Sequence, residues 1–278
     1  MTNQDEISAH YQHGELLNAI LSGIEQLGKS QANVTIEDLA IVDEFHIGGR
    51  KASEDFFNQL DITPDQHFLD VGCGLGGVSR FVAQKYKCHV SGIDLSAEYI
   101  ETGKTLSSWL GLEEQVDLHQ GSALATGFDN DSFDGAYMMH VGMNIKDKPA
   151  LFEEVFRCLR PGSLFAIFDV MQTGEGELDF PVPWATESTS SAVTTINNYK
   201  SALENVGFVI EAERNRRDFA IEFFEQLRAK TASSKGRPAL GLHILMGDTA
   251  PVKIKNMVKN IMAGKIAPVE LIARKGVK

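Results

Sequence analysis

The central part of the sequence alternates short apolar segments with amphipathic ones, and this alternation limits the possible folds more than any other feature. Segments such as HFLDV (67–71), HVSGID (89–94) and FDGAYMM (133–139) have the length and residue types of buried strands. The stretches between them favour helices, and Ser96 is placed to cap one of these. Strands that alternate with helices pair in parallel through right-handed crossovers. The sequence therefore predicts a doubly wound α/β fold with a mostly parallel, seven-stranded sheet.

Four further strands complete the predicted sheet. They are VDLHQ (116–120), SLFAIFDVM (163–171), FVIEAE (208–213) and ELIAR (270–274). The gap before the last strand contains two helical patterns, at about 217–231 and 242–263, separated by a break with Gly and Pro at 233–238. This insertion is expected to be a cap packed on the sheet or, as a functional alternative, a lid or a dimer surface.

The helical and alternating regions divide the chain into three parts. Residues 1–60 predict an N-terminal helical cover. Residues 61–216 and 264–278 form the predicted α/β core, and residues 217–263 form the helical insertion. Since the alternation is continuous, the pattern indicates one large domain with appended helices.

Charge and cysteine content argue against several classes of protein. Across 278 residues the formal net charge is −12 at pH 7, and no basic stripe is evident, so a nucleic-acid partner is not expected. Cys73, Cys88 and Cys158 are widely spaced and form no CxxC pair, which predicts neither a disulfide framework nor a metal site. The N-terminus lacks a signal-peptide pattern and no apolar run of about 18 residues occurs, so no membrane partner is expected. A reducing, cytoplasmic location fits these features best.

A glycine-rich loop follows the first predicted strand and opens a predicted helix. In it, Asp70 precedes a GxGxxG pattern formed by Gly72, Gly74 and Gly77. Such a loop can hold the pyrophosphate of a dinucleotide, but the carboxylate of Asp70 would then lie beside phosphate charge. A ligand with an α-ammonium group and a sulfonium centre would be attracted by that carboxylate. The acid therefore favours a cationic ligand over an anionic one.

Two further positions extend this predicted site along the carboxyl edge of the sheet. Asp94 ends the second strand, where a carboxylate can accept hydrogen bonds from both hydroxyls of a ribose. Gly121, Ser122 and Ala123 follow the third strand, and their small side chains leave space for a nucleobase. The Ser122 hydroxyl and the Ala123 backbone are the expected adenine contacts.

Five segments within about residues 60–213 are, in order, DVGCGLGGVSRFVA, GIDLS, QGSA, FDGAYMMHV and LRPGSLFAIFDV. Together they resemble the motif series of the class I S-adenosylmethionine-dependent methyltransferases. A lone glycine loop is a weak signal, but five motifs in the right order and spacing are specific. The resemblance implies a Rossmann-like methyltransferase fold, S-adenosylmethionine as the cofactor, and methyltransferase activity.

The resemblance also implies which residues contact the cofactor. Asp70, Gly72, Gly74 and Gly76 would line the methionine end, Asp94 and Leu95 the ribose, and Ser122 and Ala123 the adenine. His140 ends the fourth predicted strand, and this position places it beside the expected site of the transferred methyl group. Many members of the family carry Asp where Ser122 stands. This departure is expected to weaken the contact to the adenine amino group without abolishing binding.

Two segments outside the core motifs, DEFHIGGR (43–50) and FPVPWA (180–185), resemble one branch of this superfamily. That branch acts on small molecules and includes the sarcosine/dimethylglycine and phosphoethanolamine methyltransferases. The resemblance therefore implies a small-molecule methyl acceptor, such as an amine or a similar nucleophile.

Methyl transfer from a sulfonium needs mainly approach geometry and exclusion of water, because the leaving group is neutral. A base is needed only when the acceptor arrives protonated. His140 ends the fourth predicted strand beside the expected transfer point and is the candidate base, with an expected pKa near 6.5. The expected acceptor contacts are Tyr11, His46, Met143, Asn144 and Trp184. His140, His46 and Trp184 each have a structural alternative, as wall or packing residues.

Two other functions stay open from the sequence. One is a nicotinamide-dependent oxidoreductase, which Asp70 and the later motifs disfavour. The other is a non-catalytic S-adenosylmethionine-binding module, which no motif separates from an enzyme. The expected oligomeric state is a monomer or a homodimer.

Overall fold

A mixed β-sheet organises the chain. The computed structural model describes residues 14–233 and 238–277. The strands are β1 (His67–Val71), β2 (His89–Asp94), β3 (Val116–Gln120), β4 (Phe133–Met139), β5 (Leu159–Gln172), β6 (Phe208–Asn215) and β7 (Ile266–Lys275). Their order in the sheet is β3-β2-β1-β4-β5-β7-β6, and pairs are parallel except those of β7 with β5 and β6. The predicted doubly wound, mostly parallel seven-stranded sheet is confirmed.

Helices precede the sheet, connect its strands and form the insertion before β7. Within the described residues they are α1 (Leu16–Gln26), α2 (Ile36–Asp43), α3 (Gly49–Phe57), α4 (Gly77–Tyr86), α5 (Ala97–Trp109), α6 (Lys148–Cys158), α7 (Ile196–Val206), α8 (Arg217–Ser233), α9 (His243–Met246) and α10 (Ala250–Met262). Side chains fix several of their starts. Helix α2 begins with a reciprocal capping box between Thr35 and Asp38, and Ser96 caps α5 by accepting from the Tyr99 N–H. None of the helices described here is long and apolar enough to cross a membrane.

Apolar layers cover both faces of the sheet. On one face, Phe68 of β1 lies in a cluster with Phe57 of α3 and residues of α4. On the other face, Leu69 of β1 lies in a cluster with Phe152 of α6 and residues of α7. Successive residues of one strand thus pack on opposite helix layers, as expected for a strand buried on both sides. The strand order reverses between β1 and β4, which leaves a crevice at their carboxyl ends.

Strands β5 and β7 are longer than the sequence predicts, because each tolerates a proline. In β5 the register shifts between the pairs Phe133–Leu159 and Gly135–Leu164, so Pro161 lies in an irregular stretch. In β7, Pro268 pairs with Val170 in the sheet and its carbonyl accepts from the Arg216 N–H at 2.8 Å. The predicted strands exclude these prolines because proline has no N–H to donate to a neighbouring strand.

The insertion contains α8, α9 and α10 instead of the two predicted helices. The predicted second helix, 242–263, is interrupted at Gly247, which has a φ of +60° and follows α9. Glycine favours this left-handed conformation and breaks the helix. The centre of the predicted break, residues 234–237, lies outside the described residues.

Candidate active site

A cavity of about 480 Å³ lies where the strand order reverses, at the carboxyl ends of β1, β2 and β4. Its walls come from the segment after α2, the glycine loop after β1, the ends of β2 and β3, and the loop after β4. The predicted site residues in its lining are Asp70, Gly72, Gly74, Asp94, Leu95, Ser122, Ala123, His140, His46 and Asn144. Residues far apart in the sequence therefore meet in one enclosed space.

The glycine loop between β1 and α4 shapes one wall of the cavity. Gly72 and Gly74 have φ angles of +74° and +55°, in the left-handed region that favours glycine. A Cβ at Gly72 would collide with the Val141 side chain, so this glycine lets the loop pack on the end of β4. A Cβ at Gly74 would have Tyr99 as its nearest described neighbour, at 3.9 Å. A side chain there would therefore fill cavity space, which makes the loop a cradle for a ligand.

Gly76 lies outside the cavity lining, which corrects its predicted place at the methionine end. It is the residue before α4, with a φ of +74°. A Cβ there would come within 2.8 Å of Leu118 and 3.2 Å of Arg80. Gly76 is thus needed for the close packing of α4 on β3.

Asp94 ends β2 and ties the glycine loop to this edge of the sheet. Its Oδ2 accepts a hydrogen bond from the Gly74 N–H at 3.0 Å, and its Oδ1 accepts from the Ser96 N–H at 2.9 Å. Burial raises the pKa of this carboxyl. Because each carboxylate oxygen can accept a second hydrogen bond, the pair can still accept from two neighbouring hydroxyls.

Asp70 is buried beneath the loop and also lines the cavity. Its Oδ2 accepts from the Ser79 hydroxyl at 2.6 Å. Burial raises the pKa of Asp70 to about 7, against the lowering effect of Ser79 and with a further contribution from Asp94. A cation bound beside Asp70 would favour the ionised carboxylate and reverse this shift.

The ends of β2 and β3 form the opposite wall, where the sequence predicts the ribose and adenine contacts. Leu95, Ser122 and Ala123 are all in the lining. The Ser122 Oγ accepts from the Leu124 N–H at 3.1 Å, which stabilises the turn after β3. The hydroxyl that stands in place of the more usual Asp thus also has a structural role.

His140, the candidate base, is engaged at both ring nitrogens. Nδ1 donates to the Phe168 carbonyl oxygen at 3.2 Å, and Nε2 accepts from the Ile47 N–H at 3.3 Å. Burial, with a smaller contribution from His46, lowers the pKa of His140 to about 3. The ring is therefore neutral at pH 7, and its lone pair is already used. This corrects the predicted pKa near 6.5 and makes His140 a link between β4, β5 and the N-terminal cover.

We expect His140→Ala to lower the free energy of unfolding by about 1–3 kcal/mol, because the buried Ile47 N–H loses its partner and the Phe168 carbonyl oxygen keeps only the backbone N–H of residue 140. Urea denaturation measures this loss. The matched control is His119→Ala, since His119 is a partly exposed histidine paired with Asp117 on β3. The control is expected to change the free energy of unfolding by less than about 0.5 kcal/mol. Equal unfolding free energies for wild type and His140→Ala would contradict the linking role.

Met143 and Trp184, expected as acceptor contacts, are buried in an apolar cluster outside the cavity lining. Their cluster includes Met257 and Ile261 of α10. The Trp184 Nε1 donates to the Ser191 Oγ at 3.1 Å, so the polar edge of the ring is also used within the protein. This corrects both predictions: these residues form a core beneath the insertion.

Two of the three remaining acceptor candidates, Asn144 and His46, line the cavity. Asn144 lies in the cavity lining, and its Nδ2 donates to the Val141 carbonyl oxygen at 3.3 Å. His46 also lines the cavity. Tyr11 lies outside the described residues.

The structure adds lining residues that the sequence did not indicate. Asp43, the last residue of α2, and Phe45 both precede His46 in the sequence, and the Asp43 carboxylate pairs with the buried guanidinium of Arg80. The resemblance of DEFHIGGR (43–50) to the small-molecule branch pointed to this region, but nothing in the segment indicated that Asp43 or Phe45 would line a site. Leu245 of α9 reaches the cavity from the insertion, and no sequence pattern pointed to it.

Residues 68–162 match a family model that describes a methyltransferase domain. The chain carries a methyltransferase domain. The matched segment runs from β1 into β5 and includes Asp70, Asp94, Ser122 and His140. The predicted resemblance to the S-adenosylmethionine-dependent methyltransferases is therefore confirmed for this domain.

Relatives of the methyltransferase domain have methyltransferase names. The phosphoethanolamine N-methyltransferase of Triticum aestivum is 29% identical over 189 residues, which are 68% of this chain and 37% of that protein. The methyltransferase GfsG of Streptomyces halstedii is 28% identical over 208 residues, which are 73% of this chain and 72% of that protein. The match to the wheat enzyme thus spans little more than a third of its length.

A solved structure shares the fold of most of the chain. It is a putative sarcosine dimethylglycine methyltransferase from Galdieria sulphuraria, with a TM-score of 0.67 and 18% sequence identity. The superposition covers 86% of this chain and 95% of that one. The two proteins therefore share a fold over most of this chain.

Proposed function

We propose that the methyltransferase domain binds S-adenosylmethionine in this cavity and that the chain transfers its methyl group to a small molecule by in-line displacement. The main support is the placement of a buried carboxyl, Asp70, and a partly buried one, Asp94, beside Gly74 at the ends of adjacent strands. Asp70 suits an α-ammonium group, and Asp94 can accept from the two ribose hydroxyls. Gly74 leaves space for the ligand to approach the backbone.

The same arrangement argues against a nicotinamide cofactor. The pyrophosphate of a dinucleotide would lie on the glycine loop, next to Asp70. A carboxyl with a pKa raised to about 7 would then need to stay protonated beside phosphate charge. A cationic methionine end is the better match to this wall.

The charges around the cavity favour a neutral or cationic acceptor over a phosphorylated one. In the described lining, Lys146 is the sole lysine or arginine, whereas Asp43, Asp70, Asp94 and Asp147 are acids. A phosphate monoester is usually bound by several cationic or N–H donors. We therefore expect an amine or a similar nucleophile without a phosphate, unlike the phosphoethanolamine in the name of the wheat relative.

When bound, the cofactor supplies an activated methyl group and a neutral leaving group, so the chain mainly positions the acceptor and excludes water. His46 and Asn144 are the polar residues proposed to contact the acceptor. His140 supports this wall through its bonds to Phe168 and Ile47.

Incubation with methyl-deuterated S-adenosylmethionine and a panel of acceptors tests the proposed function. The panel pairs each amine with its phosphorylated counterpart where one exists, and mass spectrometry follows both the acceptor and S-adenosylhomocysteine. We expect deuterated methyl on at least one unphosphorylated acceptor, with equimolar S-adenosylhomocysteine. Transfer to phosphorylated acceptors alone would overturn the acceptor class. Tight cofactor binding without any transfer would indicate a non-catalytic binding module.

Affinity for S-adenosylmethionine is expected to depend on pH through Asp70. Because the pKa of Asp70 is about 7 in the free protein, a proton must leave before the carboxylate can pair with the ammonium group. Affinity is therefore highest above pH 7 and falls as pH decreases, by up to about tenfold per pH unit between about pH 7 and 5. Calorimetric titration across this range measures the slope. Asp70→Asn should bind weakly and with a smaller slope, because Asp94, whose pKa is also raised, still titrates in the site. Binding by the wild type that does not depend on pH would contradict the role of Asp70.

We propose that the insertion, residues 217–263, is a lid over the cavity formed by the core at 61–216 and 264–278. Leu245 lines the cavity and packs in a cluster with Leu16 and Ile20 of α1, in the N-terminal cover (1–60). Hydrogen exchange should therefore slow in α1 and α9 when S-adenosylhomocysteine binds. Unchanged exchange there would leave the insertion with a packing role. Light scattering distinguishes the two oligomeric states that we expect, a monomer or a homodimer.

We also expect the chain to act in the cytoplasm on a small molecule, without a nucleic-acid partner. Cys73, Cys88 and Cys158 are free and buried, which suits a reducing compartment. The net charge of −12 disfavours binding to a polyanion. Fluorescence microscopy of the tagged chain and a filter-binding assay with RNA test these two expectations.

A further inference from the structure

His46 is the second histidine in the cavity lining, and its environment differs from that of His140. It is 7% exposed and lies between the end of α2 and the start of α3. Its Nε2 is 3.1 Å from the Ser53 Oγ and 3.5 Å from the Glu44 Oε2. Its Nδ1 is buried and has no hydrogen-bond partner among the residues that the structure describes.

The hydrogen bonds around Nε2 determine the tautomer of His46. The Ser53 hydroxyl donates its one proton to the Glu44 Oε2 at 2.7 Å. Its oxygen can then only accept, so the Nε2 of His46 must carry a proton and donate it. In the neutral ring, the lone pair is therefore on Nδ1.

Glu44 is held as a carboxylate, which orients the ring and stabilises its protonated form. Burial alone would raise the pKa of Glu44, but hydrogen bonding and charge from His46, together with Arg50 and Ser53, lower it. The Arg50 guanidinium is 2.6 Å from the Glu44 Oε1. A buried carboxylate on one nitrogen of an imidazole is the usual way to fix the tautomer of a histidine that accepts a proton on the other.

The other groups that face His46 do not compete for the proton. The His140 ring centroid is 6.0 Å away, and burial lowers the pKa of His140 to about 3, so it stays neutral. The Phe168 ring packs edge-on against His46 at 6.3 Å and is apolar. Within the described lining, His46 thus combines an unused imidazole lone pair with a buried carboxylate that stabilises the charged ring.

We propose that His46 accepts the proton of the methyl acceptor through Nδ1, with Glu44 and Ser53 as positioning residues on Nε2; this rests on the function proposed above. The nucleophilic atom of the acceptor forms its bond to the methyl carbon while the carbon–sulfur bond breaks and its electron pair stays on sulfur. The acceptor's N–H or O–H proton moves to Nδ1. The resulting imidazolium faces the Glu44 carboxylate and returns the proton to solvent after the product leaves.

Nitrogen-15 NMR of the histidine rings tests the proposal without an acceptor, on the full chain loaded with S-adenosylhomocysteine. We expect neutral His46 to be the Nε2–H tautomer, with its signal assigned by comparison with His46→Asn. In Glu44→Gln, the neutral ring of His46 should shift toward the Nδ1–H tautomer, because the amide group can donate to Ser53 and leave the Ser53 hydroxyl to donate to Nε2. An Nδ1–H tautomer in the wild type, or an unchanged tautomer in Glu44→Gln, would overturn the proposal.

Kinetics on an acceptor found in the panel provide the second test. His46→Asn keeps a polar atom near the place of Nδ1 but cannot take a proton. Measured at saturating S-adenosylmethionine, so that the pH dependence of cofactor binding through Asp70 does not contribute, kcat is expected to fall by about 100-fold or more and to lose the acidic limb of its pH profile. Cofactor affinity should change less than about twofold. The matched control, His119→Asn, removes the ring of a partly exposed histidine beside Asp117 and should leave both quantities unchanged.

The two tests separate failure of this proposal from failure of the proposed function. If the wild type binds S-adenosylmethionine and transfers its methyl group, but His46→Asn does so equally fast with the same pH profile, only the role of His46 is wrong. If the wild type does not bind the cofactor, the proposed function itself is wrong.

Discussion

Gly74→Val is expected to weaken S-adenosylmethionine binding by at least about 100-fold, equivalent to roughly 2.7 kcal/mol. Gly74 lines the cavity, and a Cβ there has Tyr99 as its nearest described neighbour, at 3.9 Å. The added isopropyl group therefore occupies ligand space without colliding with the core. Calorimetric titration measures the affinity, and circular dichroism measures whether the variant is folded.

Backbone strain is the competing explanation, because Gly74 has a φ of +55°. A β-branched residue in the left-handed region costs of order 1–3 kcal/mol wherever it stands. Gly111→Val is the matched control, since Gly111 has a φ of +64° in the turn after α5 and no described atom within 4 Å of its Cβ. We expect the control to lose similar stability but to bind the cofactor normally. Equal binding by both variants would show that the loop is not the cradle.

Asp94→Asn should lower cofactor affinity by at least about tenfold, or ~1.4 kcal/mol. The amide group has one accepting oxygen, whereas Asp94 accepts from Gly74 and Ser96 and is expected to accept from two hydroxyls as well. The NH₂ of Asn would also face a backbone N–H, so the loop and the ligand lose contacts together. Calorimetric titration again gives the affinity.

Asp117→Asn is the control for charge, because Asp117 is an exposed aspartate on the neighbouring strand β3. It removes the same charge from the neighbouring strand, near the amino end of β3 and outside the cavity lining. We expect its affinity to match that of the wild type. If Asp94→Asn and Asp117→Asn bind alike, Asp94 is not a cofactor contact.

The fold could be predicted from the sequence because its elements are locally encoded. Strand β1 is an apolar run followed by glycines, and α5 starts at a capping serine, Ser96. The full length of β5 and β7 could not be predicted, because Pro161 and Pro268 look like strand breakers without knowledge of their partners. The interruption of the second insertion helix depends on the conformation of Gly247.

The site residues likewise differ in whether the local sequence or distant contacts determine their roles. Asp70, Gly74 and Asp94 lie at strand ends within one motif series, so their meeting follows from the topology. The state of His140 depends on Phe168 and on Ile47, which is 93 residues away in the sequence, and no local pattern reports such contacts. Trp184 was predicted to contact the acceptor from a loop, because the helix residues that bury it, such as Met257 and Ile261, come much later in the sequence.

Calorimetric titration of the wild-type chain with S-adenosylmethionine and, separately, with NAD tests the central claim most directly. The cavity with Asp70 and Asp94 predicts binding of one S-adenosylmethionine per chain at about pH 7.5, and no detectable heat with NAD. The same titration on Gly74→Val should show no S-adenosylmethionine binding. Binding of NAD with no response to S-adenosylmethionine would contradict the assignment of this cavity.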